Sequence, residues 1–268
     1  MTSAVVAVLL AFPVLVAGPA QAAPAATRAS AGTGRIRPAS APSADVLQTL
    51  TDLLARLLSG APGASSAPAV PTGLIGRVTA STVRISGVAC NVRVFGSGFS
   101  PAANTIVTNA HVVAGVTNPV VLRPDGSTLA AQVQVFDPKD DLAVLAVPGL
   151  GEPALPLAGA ATGESDAVFG HPLGQAAVAV TPARVVRRVT ADVGDIYGQG
   201  PAVRRLLVLS ARIEPGDSGA PLVNNAGQVV GVTFATAIRR PTTAFAIASE
   251  DLATVLARPR GATVSTGP

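Results

Sequence analysis

Cysteine, tryptophan and histidine are nearly missing from this 268-residue chain, which has one Cys, no Trp and two His. A lone Cys90 excludes an intramolecular disulfide within the chain as it stands. It leaves a free thiol, an intermolecular bridge or, as the blander reading, a small buried hydrophobe. Two histidines, His111 and His171, leave little choice for any histidine-dependent mechanism. Aromatic residues make up only 3% and charged residues 13%. The net charge is +4 and the pI about 10.5, which raises the question of a nucleic-acid or anionic partner. The basic residues, however, are scattered as singles and pairs (Arg187-Arg188, Arg204-Arg205, Arg239-Arg240). No aromatics interleave them and no recognition motif accompanies them, so nucleic acid is not an expected partner.

What is present is apolar and punctuated. Hydrophobic residues make up 49%, dominated by Val and Ala, with 27 Gly and 23 Pro. Such a chain can bury a sizeable core, and valine's branched side chain suits a pleated surface. Residues 4–17 form an apolar run shorter than the ~20 residues of a membrane span. Ala20-Gln21-Ala22 follows as a small-x-small cleavage signal. Residues 1–22 therefore read as a secretory signal peptide or as the remnant of a membrane anchor. In either case the rest of the chain is expected outside the cytoplasm. Residues 23–71 read as a Pro/Ala/Ser-rich linker. It is interrupted by an amphipathic helix over 44–58, with Val46, Leu47, Leu50, Leu53, Leu54, Leu57 and Leu58 on one face.

From Thr72 short strand-like runs take over. They cover Thr82–Val88, Thr105–Thr108, Val120–Arg123, Ala130–Phe136, Leu142–Val147, Ala167–Phe169, Ala176–Val180, Leu206–Ala211 and Gln228–Phe234. Turn residues such as Pro124-Asp125-Gly126 separate them, the texture of an all-β sandwich or barrel. Ser249, followed by Glu250, Asp251, Leu252, Val255 and Leu256, predicts a capped C-terminal helix. The expected domain covers residues 72–262, with a tail at 263–268.

Three residues carry recognisable chemistry. His111 sits in Thr108-Asn109-Ala110-His111-Val112-Val113, Asp141 opens Asp141-Leu142-Ala143-Val144-Leu145, and Ser218 lies in Gly216-Asp217-Ser218-Gly219-Ala220-Pro221. A serine hydroxyl is a weak nucleophile and needs an adjacent base. A neutral imidazole can take its proton and return it, and a carboxylate fixes the imidazole tautomer. Glycines around the serine allow backbone N–H groups to converge on a developing oxyanion. The N–H groups of Gly216 and Ser218 are the candidates. No His follows Ser218, which excludes the α/β-hydrolase order. An Asp-His-Ser order through Asp141, His171 and Ser218 would need an α/β scaffold that the short strands do not support. The His-Asp-Ser order fits a double β-barrel.

These segments resemble those of trypsin-like serine proteases of the HtrA/DegP branch. The nearest likeness is to the actinobacterial membrane-anchored acid-resistance serine protease (MarP) family, over about residues 73–260. "VTNAHVVAG", "DLAVLAVP", "TPARV", "DIYG", "GDSGAPLV" and "GQVVGV" carry it, with Gly96-Ser97-Gly98-Phe99 before the His strand. The resemblance implies two packed six-stranded antiparallel β-barrels, a short C-terminal helix, and peptide-bond hydrolysis through an acyl-enzyme by His111, Asp141 and Ser218. It implies no metal or cofactor, a peptide or protein as partner, and membrane association only through the N-terminus; a monomer is expected.

It further implies that Thr233, Phe234 and Ala235 supply the edge that pairs with a substrate strand. Arg212, six positions before Ser218, would lie at the base of the specificity pocket and disfavour basic side chains; an arginine pointing elsewhere is the alternative. Asp140 is expected to be a solvated turn acid, Asp217 a structural group paired with a cation, and His171 a turn residue. The family pairs a cysteine placed like Cys90 with one near the C-terminus, and this sequence has no second cysteine. The family's Gly is replaced by Ala220, which is tolerated unless positive φ is needed. Two other readings stay open: a catalytically idle, protease-like peptide-binding module, and an esterase on the same scaffold.

Overall fold

A computed structural model describes residues 71–237, 240–260 and 264–267. The segment expected to be a signal peptide or anchor remnant, most of the expected linker and the helix expected over 44–58 lie outside the described residues.

The chain enters through helix α1 (Thr72–Ser81), where strand texture was expected. Two glycines and β-branched residues make it a poor helix by propensity. Burial decides the outcome, because Val78 is fully buried and Ile75 packs against the same core. Strands β1 (Thr82–Ala89), β2 (Val92–Ala102), β3 (Thr105–Thr108), β4 (Val120–Leu122), β5 (Thr128–Ala130), β6 (Gln132–Asp137) and β7 (Leu142–Ala146) form one antiparallel sheet. Its order is β5-β4-β1-β2-β3-β7-β6. A one-turn helix α2 (Ala110–Val113) follows β3. Strands β8 (Ser165–Gly170), β9 (Ala179–Asp192), β10 (Val203–Ser210), β11 (Pro221–Asn224), β12 (Val229–Ala237) and β13 (Arg240–Ala248) close into a barrel ordered β10-β13-β12-β11-β8-β9. Helix α3 (Ser249–Leu256) ends the domain.

The second half is thus the six-stranded barrel expected. The first differs by one short strand, β5, and its ladder does not close. Tail residues lie across the opening instead. Val264 N–H donates to Val133 (2.9 Å), and Gly115 N–H donates to Thr266 (2.9 Å). One buried cluster fills the first sheet, including Ile85, Ile106, Val133 and Leu145. A second fills the barrel, including Val168, Leu207, Leu222 and Val230. A third is shared between the halves, joining Phe99, Val107 and Leu142 to Leu155, Phe169, Phe234 and Phe245.

Two smaller expectations are corrected. Ser249 does not cap α3; its hydroxyl donates to Ala158 O (2.6 Å), and the helix begins on Ala248 without a side-chain cap. Cys90 is exposed rather than buried. It sits with Asn91 at positive φ (48° and 63°) in the tight turn between β1 and β2.

Candidate active site

His111 and Asp141 both come from the first sheet. β3 ends at Thr108, Asn109 is extended, and α2 then presents His111 at the sheet's rim. Asp141 closes the β6–β7 turn at φ +52° and is wholly buried. Asn109 Nδ2 donates to the Asp141 carbonyl (2.9 Å), locking that turn against the His segment. The Asp141 carboxylate accepts His111 N–H (3.0 Å), and both its oxygens lie within 3.0 Å of His111 Nδ1. With Nδ1–H donated to the carboxylate, Nε2 carries the free lone pair, the tautomer a general base needs.

Asp140 is not the solvated turn acid expected. It and Asp137 share Arg258. Burial, with the charges of Asp137 and Asp251, pushes the Asp140 carboxyl up to about 6 against the pull of Arg258. Arg204, 3% exposed, lies in the same region. It donates to Lys139 O (2.6 Å) and Gly194 O (3.1 Å), and its guanidinium lies 5.9 Å from the centre of the Phe234 ring. Burial lowers its pKa, opposed by the charges of Asp141, Asp140, Asp137 and Asp195.

Ser218 comes from the barrel, on the turn between β10 and β11. Gly216 (φ +103°) and Gly219 (φ +87°) occupy backbone conformations that L side chains rarely adopt. A Cβ on Gly216 would stand 2.4 Å from His171 O, and one on Gly219 2.1 Å from Ser97 O. The N–H groups of Asp217, Gly219 and Ala220 donate to the carbonyls of Glu214, Thr233 and Asp217. Those of Gly216 and Ser218 have no acceptor among the described residues. The Pro215 carbonyl accepts Leu173 N–H (2.6 Å). Because that peptide is trans, the Gly216 N–H points away from the 171–174 turn. Ala220 is fully buried and is not among the positive-φ residues, so it replaces glycine there without strain.

His111 and Ser218 line one cleft of about 260 Å³, with Val94, Phe95, Ile213, Glu214, Phe234 and Ala235 among its other walls. The His111 ring's hydrogen bonds all go to Asp141 among the described residues. Among the described residues no hydrogen bond joins His111 Nε2 to Ser218 Oγ, although both residues line the cleft.

The remaining expected residues divide. Phe234 and Ala235 line the cleft. Thr233 does not offer a free edge, since its N–H and carbonyl pair with Ala220 and Gly219 and its hydroxyl donates to Asp217 O (2.8 Å). Thr233 therefore supports the serine turn. Arg212 lies outside the cleft lining with its side chain 74% exposed, and pairs loosely with Glu214 (3.6 Å). One residue of backbone turn directs it to solvent and leaves Ile213 on the cleft wall.

Asp217 is buried, and no salt bridge joins it to a cation among the described residues. Its Oδ2 accepts Glu214 N–H (3.0 Å), and burial pushes its carboxyl up to about 6. His171 does start a turn, but it is 1% exposed, with Nδ1 on Gln175 O (3.0 Å) and Nε2 without a partner among the described residues. Burial holds its pKa below the ordinary imidazole value. Sequence reasoning gave no individual role to Ser97 or Leu173, which touch the serine turn directly. The available signal for Ser97 was a polar residue between two glycines in the strand before the His segment.

Residues 96–232 match the trypsin-like peptidase domain. Over 203 residues the chain is 38% identical to serine protease Rv3671c of Mycobacterium tuberculosis, covering 74% of this chain and 51% of that protein. It is 34% identical over 142 residues to a probable periplasmic DegP-like serine endoprotease of Ectopseudomonas mendocina, covering 51% of this chain and 28% of that one. The chain thus spans about half or less of these relatives' length. The crystal structure of the active form of the M. tuberculosis Rv3671c protease superposes with a TM-score of 0.73 at 38% identity, over 77% of this chain and 93% of that one. Two curled antiparallel sheets, a serine turn facing a histidine across their junction, and the matched domain spanning both halves lead to one conclusion: this chain belongs to the trypsin-like peptidase family.

Proposed function

We propose that the protein is an extracytoplasmic serine endopeptidase working through an acyl-enzyme. The observation that carries the reading is the His111–Asp141 pair, both carboxylate oxygens within 3.0 Å of Nδ1, facing Ser218 in one cleft. In this reading His111 Nε2 takes the Ser218 proton as Oγ attacks the scissile carbonyl. It then gives that proton to the leaving amine, and a water repeats the sequence in reverse on the acyl-enzyme. Asp141 holds the ring and stabilises the imidazolium. The N–H groups of Gly216 and Ser218 receive the oxyanion; removing one such donor costs about 3–4 kcal/mol in comparable enzymes. The location rests on the leader-like residues 1–22 and on the periplasmic DegP-like relative.

The cleft walls favour an apolar residue before the scissile bond. Ile213, Phe234 and Ala235 line the cleft beside Ser218, and Arg212 is turned away. A fluorophosphonate probe should label the wild type and not Ser218→Ala. A peptide panel should rank apolar residues above acidic and basic ones. No labelling of the wild type, or equal labelling of both proteins, would instead favour an idle peptide-binding module. Turnover of simple esters with none of peptides would favour an esterase.

A further inference from the structure

We propose that Ser97, on β2 of the first sheet, is a positioning residue for the oxyanion-binding turn of the second barrel, holding Gly216 through its hydroxyl. The proposal rests on the peptidase reading above.

Ser97 is fully buried and every polar atom it has is used. Its Oγ donates to the Gly216 carbonyl (2.7 Å) and accepts His171 N–H (2.9 Å). Its N–H donates to the Ser218 carbonyl (2.8 Å), and its own carbonyl accepts Thr108 Oγ1 (2.7 Å). Three of these four bonds cross from the first sheet to the second barrel, onto Gly216, Ser218 and His171. The fourth ties Ser97 to the strand that delivers His111.

Gly216 needs such support because glycine is the residue whose two backbone dihedrals are least constrained. Two peptide planes flank it. The Pro215 carbonyl of the first is held by Leu173 N–H, and the Gly216 carbonyl of the second by Ser97 Oγ. With both planes pinned, the Gly216 N–H has one direction available, away from the 171–174 turn. Ser97 also reaches the other pin, because its Oγ holds the His171 N–H at the start of that turn. Arg84, on β1, secures the far end of the turn at the Gly174 carbonyl. Removing the Ser97 hydroxyl unpins the Gly216–Asp217 plane directly and frees the His171 N–H, which starts the turn whose Leu173 N–H holds the Pro215–Gly216 plane, so the Gly216 N–H loses its fixed direction.

The test uses purified wild type, Ser97→Ala and Ser97→Thr. Each is assayed on one peptide substrate, and its inhibition by a peptide boronate, which mimics the tetrahedral state, is measured alongside. Ser97→Ala should lose about ten- to a hundredfold in kcat with KM within threefold. Boronate affinity should fall by a similar factor, and Ser97→Thr, which keeps the hydroxyl, should recover most of both. Unchanged kcat and boronate affinity in a folded Ser97→Ala would overturn the proposal. So would a loss confined to KM. Should Ser97→Ala fail to fold, Ser97→Cys keeps the volume and weakens both bonds, and wild-type kcat there would equally overturn it. A wild type that neither turns over peptide nor takes a fluorophosphonate refutes the peptidase reading itself, a result distinct from any of these.

Discussion

At the scale of single residues, the candidate site depends on which hydrogen bonds a side chain spends and which it keeps. Asp141 spends both carboxylate oxygens on His111 Nδ1 and one of them also on the His111 N–H. Asp141→Asn keeps the shape but puts an amide N–H where an acceptor is required, favouring the wrong imidazole tautomer. We expect kcat to fall by roughly 10³–10⁴ with little change in the melting temperature, checked by peptide turnover and calorimetry. The three candidate residues His111, Asp141 and Ser218 stand out in the sequence because their chemistry is rare there: with two histidines and a fixed chain order, few alternatives survive. Arg212 could not be placed that way. Spacing from Ser218 fixes where a residue lies along the chain, but a rotation of one residue decides which face it takes, and Ile213 rather than Arg212 took the cleft. Asp140 was misjudged for a related reason, since its partner Arg258 lies 118 positions away.

At the scale of elements, strands with clean alternation were visible and those carrying interruptions were not. β9 runs over 14 residues through Pro182 and an Arg pair, and only its first residues were expected. Its partners in β8 and β10 supply the pairing that local propensity argues against. β8 also carries the least comfortable group in the barrel. Asp166 is 2% exposed, and neither carboxylate oxygen has a partner among the described residues. Burial, with the charge of Glu164, pushes it up to about 7 from 3.8. The folded state therefore holds a proton that the unfolded chain releases earlier. Stability should fall as pH rises from about 4 to about 7 and level off above. Asp166→Asn should remove the Asp166 share of that decline, on the order of 2–4 kcal/mol between the two limits. Urea midpoints at pH 4.5 and pH 8 would show it; parallel pH profiles for variant and wild type would refute it. Asp217 and Asp140, both pushed up to about 6, add to the decline in the same direction.

At the scale of the whole molecule, closure is achieved differently in the two halves. The barrel closes through its own ladder, β9 to β10. The seven-stranded sheet relies on residues 264–266, where Thr266 meets Gly115, Val116 and Tyr197. Deleting residues 264–268 should cost about 2–4 kcal/mol, some 1 kcal/mol for each hydrogen bond lost. A shift in the urea midpoint would register this, and a shift of under 0.5 kcal/mol would contradict it. Residues 263–268 read only as a tail from the sequence, because the hydrogen bonds that hold Val264 and Thr266 come from residues some 70 to 150 positions away.

The division of the site between the halves has a further consequence, one of time. A ribosome delivers His111 and Asp141 well before Ser218, and the turn bearing Ser218 leans on β12, which itself pairs with β13 at residues 240–248. The His111–Asp141 pair can be in place while Ser218 still has no framework. On the peptidase reading proposed above, cleavage competence therefore arrives only with the last strand, and a chain still being synthesised is unarmed.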